Sequence, residues 1–303
     1  VLALFGPTAT GKSAIAHALA RELDGEVVVA DPFQRYRGLE VASDAPSSVQ
    51  RREVRYHFVG DLGLDEDSSA GSYANEAHAV IDRVVHAGRV PIVAGGTGLY
   101  LRAALCEMQM REAPPREVRD WAEALAADPP AAVAELEARD PAAARVVDPA
   151  NPRRLARALE RAATGDDGVA GDIWSAPLRL PTLVVGIDRP RDVVSDLISR
   201  RVDREISDGL VWELRAALAN PSLSRGPGQV IGMREVRLVD SGELAGDDLP
   251  EALAARTRRL ARMQRTWMRR IQPDCVIDLG EAPARDAVPR IAALWHSARE
   301  GTG

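Results

Sequence analysis

Eight consecutive residues near the start of the chain, Gly6-Pro7-Thr8-Ala9-Thr10-Gly11-Lys12-Ser13, have the spacing of a phosphate-cradling loop, G-x-x-x-x-G-K-[ST]. The chemistry follows from the residue types. Gly6 and Gly11 admit backbone conformations closed to other residues, so successive N–H groups can point into one anion-binding hollow. Lys12 supplies a compact positive charge, and the Ser13 hydroxyl suits a hard cation such as Mg²⁺. Lys12 is the only lysine of the chain, whose other permanent side-chain cations are all arginine. A wide guanidinium fork would not serve in so tight a loop. Such a loop binds a phosphate or a diphosphate.

Other residues could work beside it. Asp31, in Asp31-Pro32-Phe33-Gln34-Arg35-Tyr36-Arg37-Gly38, follows an apolar run directly. A carboxylate just past the carboxyl end of a parallel strand lies where such folds put their ligands, although Asp-Pro is also a plain turn signal. Gly95-Gly96-Thr97-Gly98 follows another apolar run and lets a ligand approach the backbone closely. Near the end of the chain Arg258, Arg262, Arg265 and Arg269 recur at helical spacing. A row of arginines is usually a solvated face, but in an acidic chain it is also what a local polyanion site needs.

These residues need elements to hold them. The runs at 1–5, 26–30, 90–94 and 182–187 read as buried parallel strands, with helices at 14–23 and 72–86 between them. The first helix directs its positive end at the phosphate loop. This alternation predicts an α/β fold: a P-loop NTPase-like parallel sheet flanked by helices. Residues 41–67 are polar and irregular, and His57 within them reads as structural. From 108 to 147, Pro114-Pro115, Pro129-Pro130 and Pro141 punctuate short Ala/Glu/Arg helices, which predicts a small helical insertion. The expected core is then 1–107 with 148–303. It would include helices at 153–163, 193–208, 210–219 and 250–270, with a loop at 164–181. On the last helix Leu253, Leu260, Met263 and Trp267 form the expected apolar face. No repeat of fixed period occurs.

The totals bound the rest. A length of 303 residues with 46% hydrophobic composition supports one large core with an attachment. The net charge of −6 gives no general pull toward nucleic acid, so any RNA contact has to come from local arginine clusters. Cys106 and Cys275, far apart in sequence, read as reduced thiols of a cytoplasmic protein. No secretory leader and no bilayer-spanning run is present, so no membrane is expected.

Taken in order, the motifs resemble the tRNA dimethylallyltransferases, which prenylate the adenosine just 3′ of the anticodon. The resemblance rests on Gly-Pro-Thr-x-x-Gly-Lys-Ser at 6–13, Asp-x-x-Gln-x-Tyr-x-Gly at 31–38 and Gly-Gly-Thr-Gly-Leu-Tyr at 95–100. It continues through Asn-Pro-Arg-Arg-Leu-x-Arg-Ala-Leu-Glu at 151–160, Arg-Val-Asp at 201–203 and Gln-x-Ile-Gly-x-x-Glu at 229–235. It ends with Thr-Arg-Arg-x-Ala-Arg-x-Gln-x-Thr-Trp at 257–267.

The resemblance implies that the loop from Gly6 to Ser13 binds the diphosphate of dimethylallyl diphosphate with Mg²⁺, rather than ATP. It implies Asp31 as the base for the adenine N6 amine, with Lys12 and Arg201 supporting the leaving diphosphate. For tRNA contact it implies Asp31, Pro32, Phe33, Gln34 and Thr97, together with the segment Arg153-Arg154-Leu155-Ala156-Arg157. The insertion would be a mobile helical domain that closes over the tRNA anticodon stem-loop, and the protein a cytoplasmic monomer. The chain departs from the family pattern in three places. Pro32 stands where a small hydroxyl residue is usual, and Ala42-Ser43-Asp44-Ala45-Pro46 where Gly-Thr-Ala-Lys-Pro is usual. Leu197 stands where some members have arginine.

Two other readings share the loop. An adenylate prenyltransferase acting on AMP or ADP would need neither the insertion nor the arginine clusters. A small-molecule P-loop kinase would use Asp31 as its base and an arginine-bearing lid, but gives no role to 95–100 or 257–267.

Overall fold

A computed structural model of the chain describes residues 1–107, 114–165, 174 and 176–300. It divides into two compact units, one built from 1–108 with 176–303 and the other from 109–175.

The larger unit is organised on six strands: β1 (Leu2–Phe5), β2 (Gly25–Val29), β3 (Tyr56–His57), β4 (Val90–Gly95), β5 (Leu183–Asp188) and β6 (Cys275–Asp278). They form one sheet in the order β3-β2-β4-β1-β5-β6, and every pairing is parallel. Central β1 is buried on both faces, which is why its sequence is a continuous apolar run. Alternate residues go to opposite sides. Leu2 and Leu4 pack with Val27 and Val29 against α1 (Lys12–Glu22), while Ala3 and Phe5 pack with Val28 and Val93 on the other face.

Further helices follow in the chain. The short α2 (Ser48–Glu53) opens on a capping box at Ser47. Next come α3 (Ala70–His86) and α4 (Gly98–Leu105), which cover the Phe5 face through Tyr73, Ala77, Ile81 and Leu101. So residues 41–67, expected to be irregular, contain both α2 and the edge strand β3. Each is too short to show a period. His57 is structural, as read: its Nε2 lies 2.6 Å from Glu26 Oε2 across the β2–β3 edge.

The second unit holds α5 (Arg116–Ala126), α6 (Pro129–Arg139), α7 (Pro141–Val146) and α8 (Pro152–Thr164). Asp128, Asp140 and Asn151 each accept a first-turn N–H at the start of α6, α7 and α8, just before a proline that fits the first helical turn. Its core joins Ala122 and Ala126 to Leu136, Leu155 and Leu159. This corrects one boundary. The sequence reading ended the insertion at 147, but α8 packs on α5 and α6, because its apolar stripe needs a partner face and theirs supplies it. The expected start at 108 and half of the loop at 164–181 lie outside the described residues.

The chain then returns to the larger unit with α9 (Arg191–Ser207), α10 (Leu210–Leu218), α11 (Met233–Asp240), α12 (Leu249–Ile271) and α13 (Val288–Glu300). Helices α9 to α12 bury a third cluster around Ile198, Leu214, Met233 and Leu253, and α13 covers α1 with Ile291 and Trp295. Both cysteines are free thiols. Among the described residues no helix is long and apolar enough to cross a membrane.

Candidate active site

Parallel strands deliver their following turns to one edge of the sheet. The loop after β1, the turn after β2 beginning at Asp31 and the Gly95-Gly96 turn ending β4 line one cleft of about 490 Å³, completed by α9 and α12. That volume suits a small phosphorylated molecule.

The loop is shaped by close contacts. A Cβ on Gly6 would lie 2.0 Å from the Ile187 carbonyl oxygen, so only glycine lets the loop pass β5. Gly11 caps α1 at φ 95°, a left-handed conformation that glycine adopts without strain. Thr10 Oγ1 and Lys12 Nζ both donate to the Pro7 carbonyl, at 2.8 and 2.6 Å. Burial first, then Arg201, pushes the Lys12 pKa down to about 8, against the pull of Asp31 and Asp44. Ser13 is exposed and lines the cleft, beside the end of α1 where backbone N–H groups are unpaired.

Arg201, on α9, is the second cation of the cleft. Its Nη1 donates to Thr8 Oγ1 at 2.9 Å and pairs with Asp44 at 3.1 Å, while Nε donates to Glu205 at 2.6 Å. Asp44 also pairs with Arg204 at 3.2 Å. The acidic residue by which this chain departs from the family pattern is therefore tied to the cleft arginines. Its segment is fixed from behind, where Glu213 accepts the N–H groups of Val41 and Ala42 at 2.9 and 2.8 Å.

Asp31 faces the same space, with one oxygen accepting the Phe33 N–H at 2.8 Å. Burial raises its pKa above the usual carboxylate value, while the Phe33 amide, Lys12 and Arg201 oppose that rise. A carboxylate so placed accepts a proton more readily than an exposed one.

The structure brings about half of the sequence-predicted residues to the cleft and separates others. Thr8, Ala9, Gly11, Lys12 and Ser13 line the cleft with Asp31, Phe33, Gln34 and Arg201. Pro32 and Thr97 adjoin it without lining it; Thr97 is the N-cap residue of α4. Gln34 spends its side-chain amide on the Ser43 carbonyl at 3.2 Å. Arg153, Arg154 and Arg157 belong to α8 of the second unit and are exposed there. Leu155 and Ala156, grouped with them for RNA contact, are core residues with 0% and 5% exposure, so that assignment is corrected. An alternating helical surface cannot present five consecutive residues to one partner.

Helix α12 also differs from expectation. Its buried stripe is Leu253, Thr257, Ala261, Gln264 and Met268, whereas Met263 is 47% exposed. Two polar residues sit on the buried face, Gln264 bonded to the phosphate loop and Thr257 donating to the Leu253 carbonyl one turn back, and a reading that followed apolarity rotated the face. Arg265 does not point outward with its row: it donates to Asp188 at 2.8 Å and to the Arg189 carbonyl. Arg189 in turn donates to the Thr10 and Gly280 carbonyls, at 3.2 and 2.9 Å. Gln264, Arg189 and Glu213 had no assigned role in the sequence. The usable signal was Gln264 itself, a polar residue on a buried stripe, which requires a partner.

A parallel sheet with a phosphate loop after its central strand, a half-buried lysine–arginine pair and an adjacent carboxylate define a P-loop-like α/β protein built for group transfer from a phosphorylated donor. Comparison with known proteins makes this specific. The family model for IPP transferase matches residues 34–271. A tRNA dimethylallyltransferase of Salinispora arenicola is 37% identical over 278 residues, covering 89% of this chain and 80% of the relative. Another from Thermomicrobium roseum is 36% identical over 282 residues, covering 90% and 84%. Among solved structures, the tRNA isopentenylpyrophosphate transferase of Bacillus halodurans superposes with a TM-score of 0.75 at 27% identity, covering 99% and 96%. A eukaryotic dimethylallyltransferase acting on tRNA shares the fold, with a TM-score of 0.75 at 22% identity, covering 95% of this chain and 75% of that one. The chain belongs to the IPP transferase family.

Proposed function

We propose that the protein transfers a dimethylallyl group from dimethylallyl diphosphate to N6 of the adenosine 3′-adjacent to the anticodon in tRNA. The observation that carries this reading is the convergence of the phosphate loop, Arg201 and Asp31 on one cleft. The new bond forms between N6 and prenyl C1, the C1–O bond breaks, and diphosphate departs with its electrons. An exocyclic amine is a weak nucleophile, so removing its proton as the bond forms contributes substantially, and Asp31 is the base within the cleft. Negative charge grows on the leaving diphosphate. Lys12, Arg201 and the loop amides are fixed in advance by their partners, so their response costs little reorganisation.

The donor set suits Mg²⁺: Ser13 offers a hydroxyl at the cleft, while diphosphate oxygens and water would supply the rest of the shell. When bound, that ion supplies further charge neutralisation on the diphosphate. Gln34 and the Gly95-Gly96 turn bound the acceptor side. The exposed arginines of α8 provide a sequence-independent grip on RNA phosphates. The target base has to leave its stack to reach a recessed carboxylate. We place the protein among soluble, cytoplasmic RNA-modifying enzymes.

Incubation with labelled dimethylallyl diphosphate and Mg²⁺, offering bulk tRNA and AMP in parallel, tests the proposal. Label in tRNA and none in AMP is expected. Label in AMP alone would replace it with an adenylate prenyltransferase, and ATP hydrolysis without prenyl transfer would replace it with a kinase.

A further inference from the structure

Gln264 is a polar side chain only 3% exposed, on the buried stripe of α12. Its Oε1 accepts the Thr8 N–H at 2.7 Å. That bond fixes which end of the carboxamide faces the loop, so Nε2 must point the other way, toward the β4 turn. There it fills the place of a side chain: a Cβ on Gly96 would lie 2.3 Å from Nε2. Gly96 is not in a left-handed conformation, so a larger residue there would meet the Gln264 carboxamide rather than backbone strain, and would displace it. One side chain therefore touches the turn beside the donor diphosphate and the turn that bounds the acceptor side. The next residue, Arg265, braces the other half of the loop through the Arg189 carbonyl, and Arg189 holds Thr10.

From this geometry we infer that Gln264 is a positioning residue that couples the two substrate turns. It sets Thr8, whose hydroxyl receives Arg201, and it does so from a seat whose shape the acceptor turn determines. Adjusting the acceptor turn moves the carboxamide, and moving the carboxamide moves the Thr8–Arg201 pair at the diphosphate. The inference rests on the proposed function for what the two turns bind. It adds a residue to neither the base nor the cations, but a link between the phosphate loop and the β4 turn.

A double-mutant cycle on the full chain tests it, with inorganic pyrophosphate and Mg²⁺ as the probe. Gln264→Met keeps the volume and removes the acceptor of the Thr8 N–H, and is expected to weaken pyrophosphate binding roughly tenfold. Gly96→Ala, outside the phosphate loop, is expected to weaken it several-fold by displacing the carboxamide. The double variant is expected to bind no worse than Gln264→Met, because a flexible Met yields to the new methyl group. Thermal midpoints of the single variants establish that each is folded. If Gln264→Met unfolds, Gln264→Leu takes its place in the cycle. Additive losses, or pyrophosphate binding unchanged in folded Gln264→Met, would overturn the coupling. Failure of the unsubstituted protein to bind pyrophosphate would instead strike the proposed function.

Discussion

Arginine serves two different ends in the two units of this chain. In the cleft Arg201 is 18% exposed and reaches Thr8, Asp44 and Glu205 within 3.1 Å. On α8 the side chain of Arg157 is 62% exposed and meets the single carboxylate of Glu160, and Arg153 and Arg154 are exposed as well. A guanidinium held by fixed oxygens in a recessed site is preorganised, and its field acts on one developing charge. A solvated guanidinium on a helix surface acts on whatever polyanion comes near, at a strength that falls with salt. The same side chain should therefore be sensitive to geometry in one unit and to ionic strength in the other.

The sharpest break in that comparison lies at the reacting atoms. Asp31→Asn keeps the shape of the turn and can still accept the Phe33 N–H, but it cannot take the N6 proton. Turnover is expected to fall by roughly 10²- to 10⁴-fold. Pyrophosphate affinity and the salt dependence of tRNA binding should stay near their original values. Single-turnover transfer and pyrophosphate titration measure the two halves, and near-normal transfer would remove Asp31 as the base.

Arg201→Lys sharpens the contrast by keeping the charge and removing the fork. A lysine cannot hold Thr8, Asp44 and Glu205 in one plane. Pyrophosphate affinity is expected to fall roughly tenfold, with a drop in transfer rate at saturating donor. If charge alone sufficed, affinity would be unchanged, and the preorganised reading of the cleft would be lost.

The pH dependence follows from two opposed shifts. Lys12 is lowered to about 8, so its charged form prevails below that pH and is lost as pH rises through it. The anion prefers the charged form, so pyrophosphate binding should weaken above pH 8. Stability has the opposite sign. Between about 8 and the ordinary lysine value of 10.5 the unfolded chain holds the extra proton, so Lys12 contributes stability that rises with pH across that window. Asp31 is raised, so the acid limb of transfer should begin above the ordinary carboxylate range. Titrating pyrophosphate from pH 6.5 to 9.5 by calorimetry is the check, and a flat profile would remove Lys12 from the diphosphate contacts.

Legibility in the sequence tracked local cause. The phosphate loop, β1, β4 and the turn at Asp31 were readable because glycine spacing, apolar runs and strand ends are local signals. The edge strands β3 and β6 were not: two residues have no period, and β6 has only Ile277 buried among its four residues. The apolar face of α12 was misread because two polar residues lie inward: Gln264 bonds a loop that arrives from the other end of the chain, and Thr257 donates to the Leu253 carbonyl. Leu155 and Ala156 were swept in with their arginine neighbours because a motif records adjacency in sequence, whereas a helix sorts neighbours to opposite sides. Asp44 showed in the sequence as a departure, but its partners Arg201 and Arg204 lie about 160 residues on, and only the fold pairs them.

The weakest expected effect is on α8, and there the kind of effect matters more than its size. Arg154 lies on the exposed side of the helix, and its replacement by alanine removes one cation while leaving the Asn151 cap on its backbone N–H intact. If Arg154 meets one RNA phosphate, the slope of log affinity against log salt should become shallower by about 0.7 to 0.9, with pyrophosphate binding and the transfer rate at saturating tRNA unchanged. Leu155→Ala is the internal control, since it empties the core beneath the same surface and should lower the thermal midpoint without altering the slope. An unchanged slope in Arg154→Ala would make the α8 arginines an ordinary solvated face and leave the grip on tRNA to the larger unit. A loss of transfer rate with no change in slope would be more disruptive, because it would mean that an exposed cation is doing what the comparison reserves for the preorganised arginine of the cleft.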